Sequence, residues 1–405
     1  MCVKVFLSRV CMAVYFHNLT FLFRNFRIPK TTSLWLVVFL VLAQLNVQAQ
    51  KKNAVERLLD WGYNILEGDS TKPRKSFLIM LPIWGVSPET GWQLGLSSGY
   101  MFKLKQDSLT RPSILRLNWQ YTQLGQFSIR PFVDVFLKQN TWHVKGQFVY
   151  NNFNEYYWGI GNEVPNTNKQ LYYFKQQRVN LSVRKRIWPA VYAGVQVNYE
   201  RMYNFRFPEN SPLPSSTDEG MNGFECGGTG LSLVYDNRNK IFFTNKGYYL
   251  EGYYLFNLPF MGDGYTHRQS FLDARYFIDL KKSNVLAFQL INQTTTGVVP
   301  FRQLSVIGND MYMRGYYNGR YRDRNMWVVQ AELRKTIWGP LGAVAFAGAG
   351  NVCKSLNDAF TSIKPNYGFG IRGVLLRKEH LNARIDMGFG EKGNKGLYLT
   401  IGEAF

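Results

Sequence analysis

From Ser76 to the end of the chain, apolar residues recur at every second position in segments of nine to fifteen residues, and this alternation constrains the fold more than any other feature. In ILRLNWQYT, Leu115, Leu117, Trp119 and Tyr121 alternate with Arg116, Asn118, Gln120 and Thr122. The split recurs where Val191, Ala193, Val195 and Val197 oppose Gln196, Asn198 and Glu200, and where Leu381, Ala383, Ile385, Met387 and Phe389 oppose Asn382, Arg384 and Asp386. One face of each segment is greasy and the other needs water.

A soluble β-sandwich also alternates, but its strands usually run about five or six residues and its apolar face is covered by a second sheet. The longer segments here match what lipid demands of a steeply tilted strand, and lipid also demands closure, because an open edge leaves backbone amides without partners. Sixteen segments are expected, at 77–86, 91–104, 113–124, 126–138, 141–152, 172–187, 190–203, 228–236, 247–257, 267–280, 284–296, 325–337, 341–351, 366–376, 380–389 and 395–404. The predicted fold class is therefore all-β, a transmembrane antiparallel barrel of sixteen strands. Short turns would face the periplasm, and the long connections 153–171, 204–227 and 297–324 the outside. Aromatic clusters at YNNFNEYYW (150–158) and YYLEGYYLF (248–256) suit the lipid headgroup zone.

Residues 1–49 read as a secretory signal peptide with a long lead-in: Arg24, Arg27 and Lys30 precede LWLVVFLVLA (34–43), and Val47-Gln48-Ala49 offers a cleavage site. Residues 50–75 suggest a short amphipathic helix and a polar linker, leaving 76–405 for the barrel. The net charge of +21 suggests a polyanionic lipid surface or a basic interior; an exported chain has no use for nucleic acid. The cysteines outside the leader, Cys226 and Cys353, leave one bridge open, and no spacing signals a metal or cofactor. His143, His267 and His380 fall in no serine-containing motif, so no enzyme is expected.

The stretch MYMRGYYNGRYRDR (311–324) places four arginines in the longest late connection, between the eleventh and twelfth segments. Its Arg314-Gly315-Tyr316 resembles the loop tip of the bacterial surface antigen superfamily, the outer-membrane barrels that include the assembly factors BamA and TamA. Three further stretches are similar to that family: the strand pair GGTGLSLVYDNRNKIFFTNKGYYLEG (227–252) with Tyr235, Asp236, Arg238 and Gly247; the element FNEYYWGIGNEVP (153–165); and the terminal LTIGEAF, with Leu399, Ile401 and Phe405 on one face as in barrel-targeting signals. The resemblance covers roughly 76–405. It implies that the loop folds back into the barrel and that Arg314 pins it to the wall, since a guanidinium in a partly dry interior needs a carboxylate or several carbonyls.

On strand parity Glu332 and Asp386 point inward, and either could receive Arg314. The family's usual acceptor, an aspartate in the thirteenth strand, is Gly348 here. The short stretch before the first strand has no room for the periplasmic polypeptide-transport-associated domains of assembly factors, and the chain is expected to be a barrel-only member.

The expected location is the outer membrane of a Gram-negative bacterium, with outer-membrane lipids including lipopolysaccharide around the barrel and periplasmic or outer-membrane assembly partners. The expected function is insertion or translocation of outer-membrane proteins or lipids through a weak seam between SFLIMLPIWG and KGLYLTIGEAF, where Pro82 removes a ladder donor and Gly85, Gly396 and Gly402 lower strand propensity. The alternative is a passive, anion-favouring pore or structural barrel, lined by Arg116, Arg130, Arg184, Arg275, Arg334, Arg372 and Arg384.

Overall fold

The computed structural model describes residues 76–87, 91–104, 110–208, 218–281, 284–376 and 381–405. The expected signal peptide at 1–49, the helix and linker at 50–75, and His380 lie outside the described residues. Within these residues there is no α-helix.

Sixteen strands form one antiparallel sheet in chain order. They are β1 (Ser76–Ser87), β2 (Gly91–Phe102), β3 (Ser113–Thr122), β4 (Phe127–Phe136), β5 (Trp142–Tyr157), β6 (Gln170–Trp188), β7 (Val191–Arg206) and β8 (Phe224–Asp236). The sheet continues with β9 (Gly247–Asn257), β10 (His267–Asp279) and β11 (Val285–Gly297). Two three-residue strands, β12 (Ser305–Ile307) and β13 (Tyr321–Asp323), then pair with each other inside the long loop. The sheet resumes with β14 (Asn325–Trp338), β15 (Leu341–Cys353), β16 (Lys364–Leu376), β17 (Leu381–Gly390) and β18 (Lys395–Ile401). The described residues thus hold eighteen strands rather than sixteen. The extra pair escaped the sequence because three residues are too few to show a period.

The sheet is inside out relative to a soluble one. Along β16, Tyr367, Phe369 and Ile371 are about 60% exposed, while Asn366 just before them and Arg372 just after are buried. Four arginines, at 184, 314, 322 and 384, are among the largest fully buried side chains. An apolar coat around a polar filling leaves the coat to be covered by something other than water.

The sheet curls until its ends meet, but they are not zipped together. Ile79 and Met101 of β1 and β2 share a buried cluster with Leu376 and Leu381 of β16 and β17. Yet the main sheet runs from β1 to β18 with no ladder joining its ends among the described residues. The expectation of a sealed cylinder is corrected to this extent: the seam is held by side chains, where every other junction has backbone hydrogen bonds. β18 is the shortest strand of the sheet at seven residues, and Pro82 has no amide hydrogen to donate from β1.

Two sequence placements also change. In the 150–158 cluster, Tyr157 and Trp158 are buried, and Tyr157 packs against Phe301 of the long loop instead of facing outward. At the other end of the chain, Leu399 is exposed on the outer face while the strand stops at Ile401. The following residues leave the sheet, so that Phe405 is buried against Phe277, Val285 and Ala287 of β10 and β11. The three residues named for the targeting signal therefore do not share one face.

On an outer face that meets lipid, Leu231→Arg in the middle of β8 is expected to cost about 2–4 kcal/mol of folded stability. The measurement is the shift in urea midpoint for folding into lipid vesicles; an unchanged midpoint would place Leu231 away from hydrocarbon.

Candidate functional site: a loop pinned to the inner wall

The connection from β11 to β14 carries the arginine-rich stretch inward. Arg314 is fully buried and donates from Nη1 to Asp386 Oδ2 and from Nη2 to Glu332 Oε2, each at 2.6 Å. Both carboxylates left open by the sequence therefore bind it, one from β14 and one from β17. Its guanidinium also lies 3.5 Å from the Phe346 ring centroid on β15, a cation–π contact that favours a planar cation over a flexible ammonium.

The acceptors are themselves held. Arg334 donates from Nε to Glu332 Oε1 at 2.8 Å, and Arg384 from Nη1 to Asp386 Oδ2 at 3.0 Å. Arg372 reaches Asp386 Oδ1 at 2.5 Å and Glu403 Oε2 at 2.8 Å, and Arg384 Nη2 reaches Asp310 Oδ2 at 3.0 Å. Four guanidiniums thus face four carboxylates, so the charges balance, and nearly every one is shielded from solvent. Removing Arg314, Glu332 or Asp386, the three fully buried members, would strand a charge in a medium that cannot solvate it.

Gly348, where the family's aspartate is expected, lies among Gln330, Val329 and Asn366, with no acid taking that role. Asn366 instead donates to the carbonyl of Arg314 at 3.1 Å. The acceptor function has moved to the strands on either side of β15 and β16.

The tip sits on the wall through its backbone as well. Gly315 has φ of +115° and lies so close to Phe389 that an added Cβ would fall 2.6 Å from its backbone carbon. A Cβ on Gly388 would in turn come 2.6 Å from the Arg314 carbonyl carbon. The Gly315 amide donates to the Tyr398 hydroxyl at 2.9 Å. Tyr316 is buried; its hydroxyl donates to Pro365 O at 2.6 Å and accepts from the Glu391 amide at 3.0 Å. Sequence reasoning named the tip but missed Gly388, Tyr398 and Phe346. The readable signal was the run of inward glycines in YGFGIRG and MGFG, since glycine in a strand interior often marks close approach of another backbone.

The remaining arginines of the stretch are met by carbonyls and rings. Arg320 donates to Val164 O at 2.7 Å and lies over Trp158 and Tyr321. Arg322 lies over Tyr157 and Phe301 and donates weakly, at 3.3 Å, to Phe301 O and Gly319 O. Burial pushes its pKa down from the ordinary arginine value. The Gly161 amide donates to Arg322 O at 2.8 Å, so the GIGN element noted in the sequence is a brace for this loop.

Tyr235, Asp236, Arg238 and Gly247 lie elsewhere, at the end of the sheet opposite the long loops. Asp236 receives Arg238 Nε at 2.9 Å and Arg111 Nη1 at 2.6 Å. Tyr235 lies on the outer face, and Gly247 opens β9.

The basic interior expected of an anion-favouring pore is largely neutralised. Of the seven arginines named, Arg184 pairs with Glu251, Arg275 with Asp273, and Arg334, Arg372 and Arg384 join the network above. Arg116 stacks on Phe132, and Arg130 donates to Ser128. His143 pairs with Asp134, and Cys226 and Cys353 are both free and buried. No cluster suited to a metal exists among the described residues.

An antiparallel sheet of sixteen strands, apolar outside and polar inside, with a loop pinned to its inner wall, is the architecture of a transmembrane β-barrel type of protein. The profile of the Omp85 superfamily domain matches residues 90–405, and the chain belongs to that superfamily. Among solved structures, BamA from Haemophilus ducreyi lacking POTRA domains 1-3 is similar with a TM-score of 0.50 at 13% identity, over 82% of this chain and 70% of that one. CdiB from Acinetobacter baumannii is similar with a TM-score of 0.51 at 12% identity, over 81% of this chain and 60% of that one. At these identities the likeness shows the fold. No curated protein sequence matches.

Arg314→Met is expected to destabilise the folded protein by about 3–5 kcal/mol, the cost of breaking a buried ion pair, read from chemical denaturation in detergent. Exchanging Arg314 with Glu332 alone should restore little, because Asp386 would then face a new carboxylate. Full restoration would show that Asp386 does not share the pin.

Gly388→Val should unseat the tip while leaving the sheet intact. The expected result is new protease cleavage within 311–324 in the folded protein; continued protection would mean that the tip does not rest on β17.

Proposed function

We propose that the chain is an outer-membrane β-barrel that inserts or translocates outer-membrane proteins or lipids through the junction of β1 and β18. The observation that carries this reading is the seam: among the described residues the sheet's two ends meet through side chains with no ladder between them. An unpaired strand edge is a template on which another strand can form hydrogen bonds. β1 would offer such an edge to a client segment, and the short β18 would yield at little cost in backbone bonds.

The pinned loop supports the same reading. A wall weak at one junction needs rigidity elsewhere, and the Arg314 network ties β14 to β17, next to the seam, through buried charge pairs. The chain belongs to the Omp85 superfamily and shares its fold with BamA and CdiB, and this reading assigns it no enzymatic reaction. In this setting the apolar coat lies in the outer membrane of a Gram-negative bacterium among lipids including lipopolysaccharide, and periplasmic or outer-membrane partners deliver clients.

Depletion in the native host, followed by a census of outer-membrane proteins and lipids, tests the proposal. Broad loss of one or the other is the expected result. An unchanged census with a large, stable, anion-selective current in planar bilayers would support the passive pore instead.

A further inference from the structure

The turn from β8 to β9, residues 237–246, contains three consecutive large apolar residues, Ile241, Phe242 and Phe243. A turn at a water-facing end of the sheet has no need of them. Each packs into a different buried cluster. Ile241 lies against Phe136, Tyr192, Val234 and Tyr249 of the adjoining wall. Phe242 lies against Ile79, Met101, Leu376 and Leu381. Phe243 packs with Phe277, Val285 and Ala287, and with Ala404 and Phe405 from the segment that follows β18.

The second of these clusters is the one that spans the unladdered seam, and Ile401 of β18 packs against it as well. We propose that the 237–246 turn is an internal latch: Phe242 holds the first strands against the last ones from inside, and Phe243 holds the segment after β18. The turn is built to stay in place. Asp236 is gripped by Arg111 and Arg238, Arg111 also donates to Asp236 O at 2.9 Å, and the Thr244 hydroxyl donates to Lys240 O at 2.7 Å. Asp236 and Arg238, singled out in the sequence, are thereby given a task, which is to fix the base of the latch.

Apolar side chains suit a junction that must open and reclose. Their attraction is non-directional and is lost gradually as surfaces separate, whereas a ladder must break its hydrogen bonds in register. A client or partner that displaced the turn would release both sides of the seam together.

The test measures the seam itself, so it stands apart from the insertion reading. In the full chain with its native cysteines replaced, spin labels at the exposed positions Met80 and Leu399 report the β1 to β18 separation by pulsed dipolar spectroscopy in detergent or nanodiscs. With the turn intact, one narrow distance is expected. Phe242→Ala should broaden the distribution and shift it outward by about one interstrand spacing, ~5 Å, whereas Phe242→Leu, which keeps an apolar contact, should stay near the native distance. Ile241→Ala, which packs on the adjoining wall and away from the seam, serves as the control for general loosening. Retained heat-modifiable gel mobility confirms that each variant has folded. An unchanged distribution in folded Phe242→Ala, or equal broadening in Ile241→Ala, would overturn the latch.

Discussion

The structure depends on burying one positive charge correctly. Arg314 is carried by a long connection into the interior of the sheet, where water cannot solvate it, and it survives there because Glu332 and Asp386 converge on it from strands on either side of β15 and β16. Taking a guanidinium and two carboxylates out of water costs several kcal/mol per ion. Such an arrangement holds only when register and curvature place all three within hydrogen-bond reach together. The pin therefore fixes the path of the loop and the relative positions of four strands.

That rigidity contrasts with the opposite property a few strands away. Among the described residues there is no ladder between β1 and β18, and the contact is made by aliphatic side chains and methionine with Phe242 of the 237–246 turn packed behind them. One part of the wall is thus over-determined by paired charge, and its neighbour is held by non-directional contact. Under the proposed reading, the paired charges keep the shape of the wall while the neighbouring junction parts.

Much of this is legible in the sequence. The sixteen long segments were read from period-two alternation, and the strands of the main sheet fall at those positions with ends displaced by a few residues, because in a strand the period reports directly which face each side chain takes. Inward parity also picked out Glu332 and Asp386. The misses have physical causes. β12 and β13 are too short to show a period, the burial of Tyr157 depends on a loop about 150 residues away in sequence, and the resting place of Phe405 depends on strands more than a hundred residues earlier. The expected single acceptor for Arg314 became two, since parity gives a direction for each side chain and no distance between them.

By itself, then, the sequence determined that the chain would form long antiparallel strands with an apolar outside and a polar inside, and that an arginine-bearing loop would have to be accommodated within. Those properties follow from local periodicity and from the cost of leaving charge in an apolar medium. The tertiary structure alone decided that both carboxylates share the pin, that most interior arginines are neutralised, that among the described residues the ends of the sheet meet without pairing, and that a turn reaches in behind them. Each of these is a distance across the interior, set by how far the sheet twists and curls, and twist accumulates over all its strands.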